Sequence, residues 1–284
     1  MSIVVTGATG HLGRHVVEQL LEKVPAEQVT AVVRTPEKAA DFAAKGVKIA
    51  VADYNSPETF DNVFAAGDKV LLISGNEFDK GRPAQHQVVI DAAKAAGVAL
   101  LAYTSAPGTL TAALADDHRA TEEALLASGL PWSLLRNSWY NENYTENLAP
   151  ALEHGAVVQA AGDGRISTAS RADYAAAAVA VLTGEGHENS TYELGGDEPW
   201  SFAEYAAELS RQTGKEIAYN AVPVDAYVEI LTGAGLPAPF AQILAGVDAS
   251  IEKGELVVTT GDLARLTGRP ATPIAESIAV ALKG

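Results

Sequence analysis

The stretch that most constrains this chain is IVVTGATGHLG at 3–13. A short apolar run, Ile3, Val4 and Val5, gives way to Thr6-Gly7-Ala8-Thr9-Gly10, and from His11 onward Leu12, Val16, Val17, Leu20 and Leu21 recur at helical spacing. The order is strand, glycine turn, helix. Gly7 suits a turn that a Cβ strains, Gly10 removes the side chain where a diphosphate approaches backbone, and Gly13 lets the helix pack close to the strand. The free amides of the helix start, with the positive end of its dipole, then face the phosphates. A purely structural turn leaves the same glycines, but the flanking strand and helix supply the context that a dinucleotide fingerprint requires.

The remainder of the chain continues that rhythm. Apolar strands are expected at 28–33, 47–51, 69–73, 99–103 and 132–135, and helices at 36–44, from Ser56-Pro57-Glu58, up to residue 96 after a polar loop at 74–82, and at 114–127. Such alternation predicts a parallel sheet covered on both faces. Beyond Arg136 the pattern changes to NSWYNENY at 137–144, a glycine-containing stretch at 157–168, an alanine-rich helix at 173–182 and a less regular end punctuated by Pro223, Pro237 and Pro239. The expected fold is α/β, a Rossmann doubly wound parallel sheet with a smaller α+β C-terminal substrate lid. Residues 1–136 form the NAD(P)-binding domain, with returns to it around 156–184, and 137–284 the smaller substrate-binding region.

Composition narrows the function classes. The 284 residues, 48% of them hydrophobic, suffice for a sizeable core. No run of apolar residues is long enough to span a membrane and no leader is evident, so a cytoplasmic protein is expected. The absence of cysteine excludes disulfide and thiolate chemistry, and the six histidines show no paired ligand spacing, so no metal is expected. A formal charge of −16 argues against nucleic acid as a partner.

Arg34 stands at the end of the second strand, about 20 residues past the glycine turn, where such folds test the adenosine ribose. A guanidinium there pairs with the 2′-phosphate of NADP, and no acid occupies 30–36, so NADPH is favoured over NADH. The plainer reading is a solvated arginine at a strand end. Asp53, after the third strand, is a candidate acceptor for the adenine amino group or merely a residue approaching a helix.

These motifs resemble the atypical, NmrA-like branch of the short-chain dehydrogenase/reductases, and within it the bacterial type 2 quinone oxidoreductases. The resemblance rests on TGATGHLG, on Arg34-Thr35-Pro36, on Ala102-Tyr103-Thr104-Ser105, on LLRNSWYNENY at 134–144, and on Ala161-Gly162-Asp163-Gly164 with Arg171-Ala172-Asp173-Tyr174, and it extends over essentially the whole chain. It implies that Gly7, Ala8, Thr9, Gly10, His11 and Leu12 hold the phosphates and Arg34 the 2′-phosphate. It further implies that Ser74, Gly75 and Asn76, then Asn137, Ser138, Trp139, Tyr140, Asn141 and Glu142, together with Thr168, hold the nicotinamide half.

One departure bears on mechanism. Alcohol-oxidising relatives carry a tyrosine and a lysine four residues apart on the helix before the sixth strand, where this chain has His118 and Glu122. His118 is expected as a partly exposed helix residue and Glu122 as a solvated one. Hydride addition to a ketone leaves an alkoxide that needs an acid at once, whereas addition to a quinone leaves a phenolate, whose acid titrates near the tyrosine reference of about 10. The protein then supplies mainly positioning and a dry pocket. Phe78, Trp139, Tyr140 and Tyr144 are candidate flat walls for the ring, and Tyr140 and Asn137 the candidate catalytic pair that polarises its oxygen. The expected activity is NADPH-dependent hydride transfer to a quinone or similar conjugated acceptor, with a homodimer allowed. The alternatives are a dinucleotide-binding redox sensor without turnover, or a reductase of other flat aromatic substrates such as dyes.

Overall fold

A computed structural model describes residues 2–75, 81–108, 111 and 114–283. Asn76 and Phe78, both named above, lie outside the described residues. Strand β1 (Ile3–Val5) feeds through the glycine turn into α1 (His11–Leu21). Then β2 (Val29–Val33), α2 (Ala40–Ala44), β3 (Lys48–Val51), β4 (Lys69–Leu72), α3 (Arg82–Ala96), β5 (Leu100–Ser105), α4 (Leu114–Ala127) and β6 (Trp132–Asn137) follow in alternation.

Two expected helices are shorter than their sequence signals. Pro36–Ala39 is a 3-10 turn ahead of α2, and the segment after Ser56 is only a 3-10 turn at Pro57–Phe60. Ser56 caps nothing with its side chain, and the Thr59 hydroxyl instead donates to Ser56 O at 2.6 Å. That local bond competes with helix propagation.

After β6 come α5 (Glu142–Thr145), α6 (Ala149–His154), β7 (Ala156–Gln159), β8 (Arg165–Ile166), α7 (Arg171–Thr183), β9 (Ser190–Leu194), β10 (Trp200–Ser201) and α8 (Phe202–Thr213). They are followed by β11 (Ala218–Ala221), α9 (Val224–Gly233), α10 (Ala238–Glu252), α11 (Asp262–Thr267) and α12 (Ile274–Ala281). The main sheet has the order β3-β2-β1-β4-β5-β6-β9 and its pairs are all parallel. The doubly wound parallel sheet expected from the alternation is therefore present, with smaller sheets β7–β11 and β8–β10 built from the second half. β9 joins the edge of β6 from a stretch whose sequence, STYEL, carries only two buried apolar side chains, Tyr192 and Leu194.

Because both faces of the sheet are covered, the central strands are apolar at successive positions. Val4, Val70, Leu72, Leu101, Tyr103 and Leu134 pack under α3 and α4, while Val5, Leu71, Ala102 and Leu135 pack on the opposite side with α1 and α7. Ser170 and Asp173 form a reciprocal capping box at the start of α7, whose Ala175, Ala177 and Ala178 are buried and let it lie close over the sheet beside α1. A third core, with Trp200, Phe202, Tyr205, Leu209 and Ile251, serves the second half. Among the described residues no helix is long and apolar enough to cross a membrane.

Candidate functional site

The strand order reverses direction between β1 and β4, and in an open parallel sheet the crevice beyond the strand ends at that point is the natural ligand position. One wall of it is the glycine turn. Gly7 has φ +61°, the left-handed region that a Cβ disfavours. A Cβ on Gly10 would meet only Gly7 O, at 3.2 Å, so that position opens outward. A Cβ on Gly13 would run into Gly7 O and the Ala8 Cα, so that glycine serves packing. No side chain caps α1, and its first helical bond is Arg14 N to Gly10 O. The amides of His11, Leu12 and Gly13 precede that bond and so lack intrahelical acceptors. An uncapped helix start beneath an open glycine fits a diphosphate.

Tyr54, which no sequence signal singled out, ties this wall to β4: its hydroxyl donates to Ile73 O at 2.9 Å and shares a short bond with Thr6 Oγ1. Burial raises its pKa, while Thr6 and the positive charge of Arg34 act against that rise. Arg34 is exposed one residue past β2, at the same crevice end. Asp53 spends Oδ1 on the Asn55 amide (2.9 Å) and the Asn55 side chain (3.0 Å), which makes it a turn former.

The facing wall is set by side chains. Ser74 N donates to Thr104 Oγ1 and Gly75 N to His86 Nε2, each at 2.9 Å. At the end of β6, Asn137 and Ser138 are buried, and Asn137 Oδ1 and Ser138 Oγ have no hydrogen-bond partner among the described residues. Buried polar atoms are rarely left so, and these are unused sites for a bound polar group. Burial raises the Tyr140 pKa, and the nearby Asn137 amide and Arg171 charge hold it down, although Asn137 Oδ1 completes no bond of good geometry. Tyr140 packs edge-on against Tyr174 at 5.4 Å, with the Arg171 guanidinium 5.4 Å from its ring centroid.

The other residues of 139–144 are engaged elsewhere. Asn141 donates both amide hydrogens, to Thr272 O (3.0 Å) and Ser277 Oγ (2.9 Å), and so clasps the C-terminal segment. Glu142 accepts from Arg171 N at the start of α7, at 2.9 and 3.1 Å. Trp139 and Tyr144 pack in the third core, where Tyr144 meets Trp200, Phe202 and Tyr205 at 5.2, 5.3 and 6.2 Å between ring centroids. Thr168 Oγ1 accepts from Trp200 Nε1 at 2.7 Å. The aromatic walls expected from the sequence are thus split between two packing environments.

The expectation for α4 is overturned. His118 and Glu122 are each 8% exposed, and neither is solvated. Glu122 accepts from Arg136 Nε (2.9 Å), Arg136 Nη2 (2.6 Å) and Ser105 Oγ (2.5 Å), and Arg136 also pairs with Glu193 at 2.8 Å. His118 lies between Arg82 Nη1 (3.1 Å) and the Tyr103 hydroxyl (2.8 Å). Burial and the Arg82 charge push its pKa down to about 3. These partners come from β5, β6 and α3, so the helical pattern of α4 alone could not reveal them.

Sequence reasoning also missed Asp248 on α10, which is 4% exposed and accepts from Ala160 N at 2.7 Å. Burial raises its pKa to about 7, the Ala160 amide opposing. Tyr144, Tyr219 and Tyr227 feel its charge. A lone aspartate in AGVDAS carries no local signal of this burial.

Known proteins are similar to this chain over most or all of its length. Residues 7–185 match a family model described as NAD(P)H-binding. Quinone oxidoreductase 2 of Escherichia coli is 45% identical over 97% of both chains. The crystal structure of the NADPH-dependent quinone oxidoreductase of E. coli complexed with NADPH superposes with TM-score 0.95 at 44% identity, covering 99% of each chain. The Citrobacter sp. triphenylmethane reductase complexed with NADP(H) superposes with TM-score 0.94 at 42% identity, covering 99% of this chain and 100% of that one. The chain belongs to the NAD(P)H-binding, NmrA-like family.

Proposed function

We propose that this protein is an NADPH-dependent reductase that passes hydride to a quinone or a similar flat conjugated acceptor. The observation that carries the reading is at α4: Glu122 is spent on Arg136 and Ser105, and His118 on Arg82 and Tyr103, so neither is available as a strong proton donor. A ketone needs such a donor and a quinone does not. The names of the two compared reductases, one acting on quinones and one on triphenylmethane dyes, support the same acceptor class.

In this reading the turn formed by Gly7, Ala8, Thr9, Gly10, His11 and Leu12 cradles the diphosphate, with the unused amides of His11 and Leu12 donating to it while those of Ala8 and Gly10 are spent on Val32 O and Gly7 O, and Arg34 pairs with the 2′-phosphate. Ser74, Gly75, Asn137 and Ser138 hold the nicotinamide end, where the buried Asn137 Oδ1 and Ser138 Oγ are unused. When bound, the dinucleotide supplies the hydride. Tyr140 and Asn137 orient the acceptor oxygen, and the second half of the chain acts as a lid that excludes water. Trp139, Asn141, Glu142 and Thr168 support this surface through their packing and hydrogen bonds rather than by polar contact with the ligand. The test is NADPH absorbance decay with a panel of quinones, a triphenylmethane dye, aldehydes and aliphatic ketones. Turnover of quinones or dye with negligible ketone reduction is expected. Ketone reduction at comparable rates, or no turnover at all, would overturn the reading.

A further inference from the structure

The turn after β4 is held by a buried hydrogen-bond relay whose direction can be worked out atom by atom. Gly75 N–H has only a proton to give, so His86 Nε2 must accept it, and the ring proton is on Nδ1. Nδ1–H then donates to Thr121 Oγ1 at 2.9 Å. Independently, the Thr121 hydroxyl donates to Asp117 O at 2.8 Å, which leaves its oxygen as an acceptor toward His86. The two constraints agree on one neutral tautomer.

His118 obeys the same logic. Arg82 Nη1 can only donate, so Nε2 accepts, and Nδ1–H donates to the Tyr103 hydroxyl. The Tyr103 hydroxyl in turn interacts with Thr121, which lowers a Tyr103 pKa that burial raises. His86 and Tyr103 also meet edge to face at 5.3 Å. The relay therefore joins α4 and β5 to the Gly75 amide, and His86, with no exposed surface, is the link that touches it. Burial and the Arg82 charge push the His86 pKa down to about 3, so the neutral form holds through the physiological range.

A side chain at position 75 would have little room. A Cβ there would lie 3.0 Å from Gln85 Oε1 and 3.9 Å from Tyr54 Cδ2, and Tyr54 in turn borders Gly7. The turn sits directly beyond β4 at the point where the strand order reverses, across from the uncapped start of α1.

We infer that His86 is a positioning residue for the dinucleotide: through Gly75 it fixes the wall that receives the nicotinamide end, and it takes no part in holding the adenosine end. This rests on the binding reading proposed above. The helix that in alcohol-oxidising relatives carries proton-transfer chemistry here supplies the far end of a positioning relay.

The test compares two ligands by calorimetry on the full-length protein: NADPH, which spans both ends, and adenosine 2′,5′-bisphosphate, which reaches only one. His86→Leu strands the Gly75 amide and should weaken NADPH about tenfold or more, while the bisphosphate changes by less than about twofold. His86→Gln returns an acceptor to Gly75 and should recover most of the NADPH affinity. Thr121→Val, which keeps side-chain shape on α4, should show the same selective loss in weaker form. Nitrogen-15 NMR of the wild-type protein should show His86 neutral and protonated on Nδ1 between pH 5 and 8. Equal weakening of both ligands in Thr121→Val, unchanged NADPH affinity in His86→Leu, or an Nε2-protonated ring would each overturn the inference. Failure of the wild-type protein to bind either ligand would instead overturn the binding reading itself.

Discussion

The two halves of this molecule bury their titratable groups in opposite ways. In the sheet half, His86 and His118 are neutral inside a relay that uses both ring nitrogens. In the second half, Asp248 accepts a hydrogen bond from Ala160 N and faces tyrosines. The histidines have folded pKa values depressed from 6.5 to about 3, so the stability they contribute is present above pH 6.5 and is lost as pH falls toward 3. Asp248 has its folded pKa raised from 3.8 to about 7, so its contribution is full below 3.8 and is lost as pH rises through 7. Acid loosens the sheet half and neutrality loosens the second half. Both contributions depend on pH because burial penalises the charged form in each, and the sign differs because the charged form is the protonated one for histidine and the deprotonated one for aspartate.

The strongest way to break the comparison is to damage the sheet half where pH plays no part. Gly13→Val should lower stability by about 3–5 kcal/mol in chemical denaturation, because the side chain meets the backbone of Gly7 and Ala8. Gly10→Val should leave the fold nearly intact yet abolish dinucleotide binding by calorimetry. If the two variants behaved alike, packing and phosphate roles would not be divided between the two glycines.

The second half is sharpened by Asp248→Asn, which keeps an acceptor for Ala160 N. At pH 8 it should stabilise the protein by on the order of 2–4 kcal/mol, with the gain vanishing toward pH 4. A difference between variant and wild type that does not vary with pH would remove the linkage.

Smaller effects mark the ends of the crevice. Arg34→Ala should weaken NADPH by about 1.5–3 kcal/mol and leave NADH nearly untouched, and equal losses would make Arg34 structural. Tyr140→Phe should lower quinone turnover by a few-fold, about 0.5–1.5 kcal/mol, at unchanged NADPH affinity. A matching loss of NADPH affinity would place the hydroxyl on the cofactor side.

What could be read from the sequence follows the range of the interactions. The glycine turn and α1 are contiguous, and α4 at 114–127 was bounded by its own periodicity, so both were legible. The Ser56-Pro57 start was misleading because the Thr59 hydroxyl bonds to Ser56 O and only a single turn forms. The candidate site was legible on its backbone wall, at Gly7 and Gly10, and much less so on the other. His86 meets Thr121 and Gly75, and Asn141 meets Thr272 and Ser277, across separations at which no periodic pattern survives. His118 looked partly exposed and Glu122 solvated because residues on an acidic helix face do, until Arg82 and Arg136 are brought against them.

The position of β9 has a consequence for how the protein is made. On the ribosome, the first six strands emerge well before Ser190–Leu194, which pairs with β6 along 133–137. Until those residues arrive, β6 is an apolar strand with an unpaired edge, the kind of surface that templates aggregation. Nascent chains stalled between about 140 and 190 should therefore be the most dependent on chaperones, and fragments ending there should precipitate.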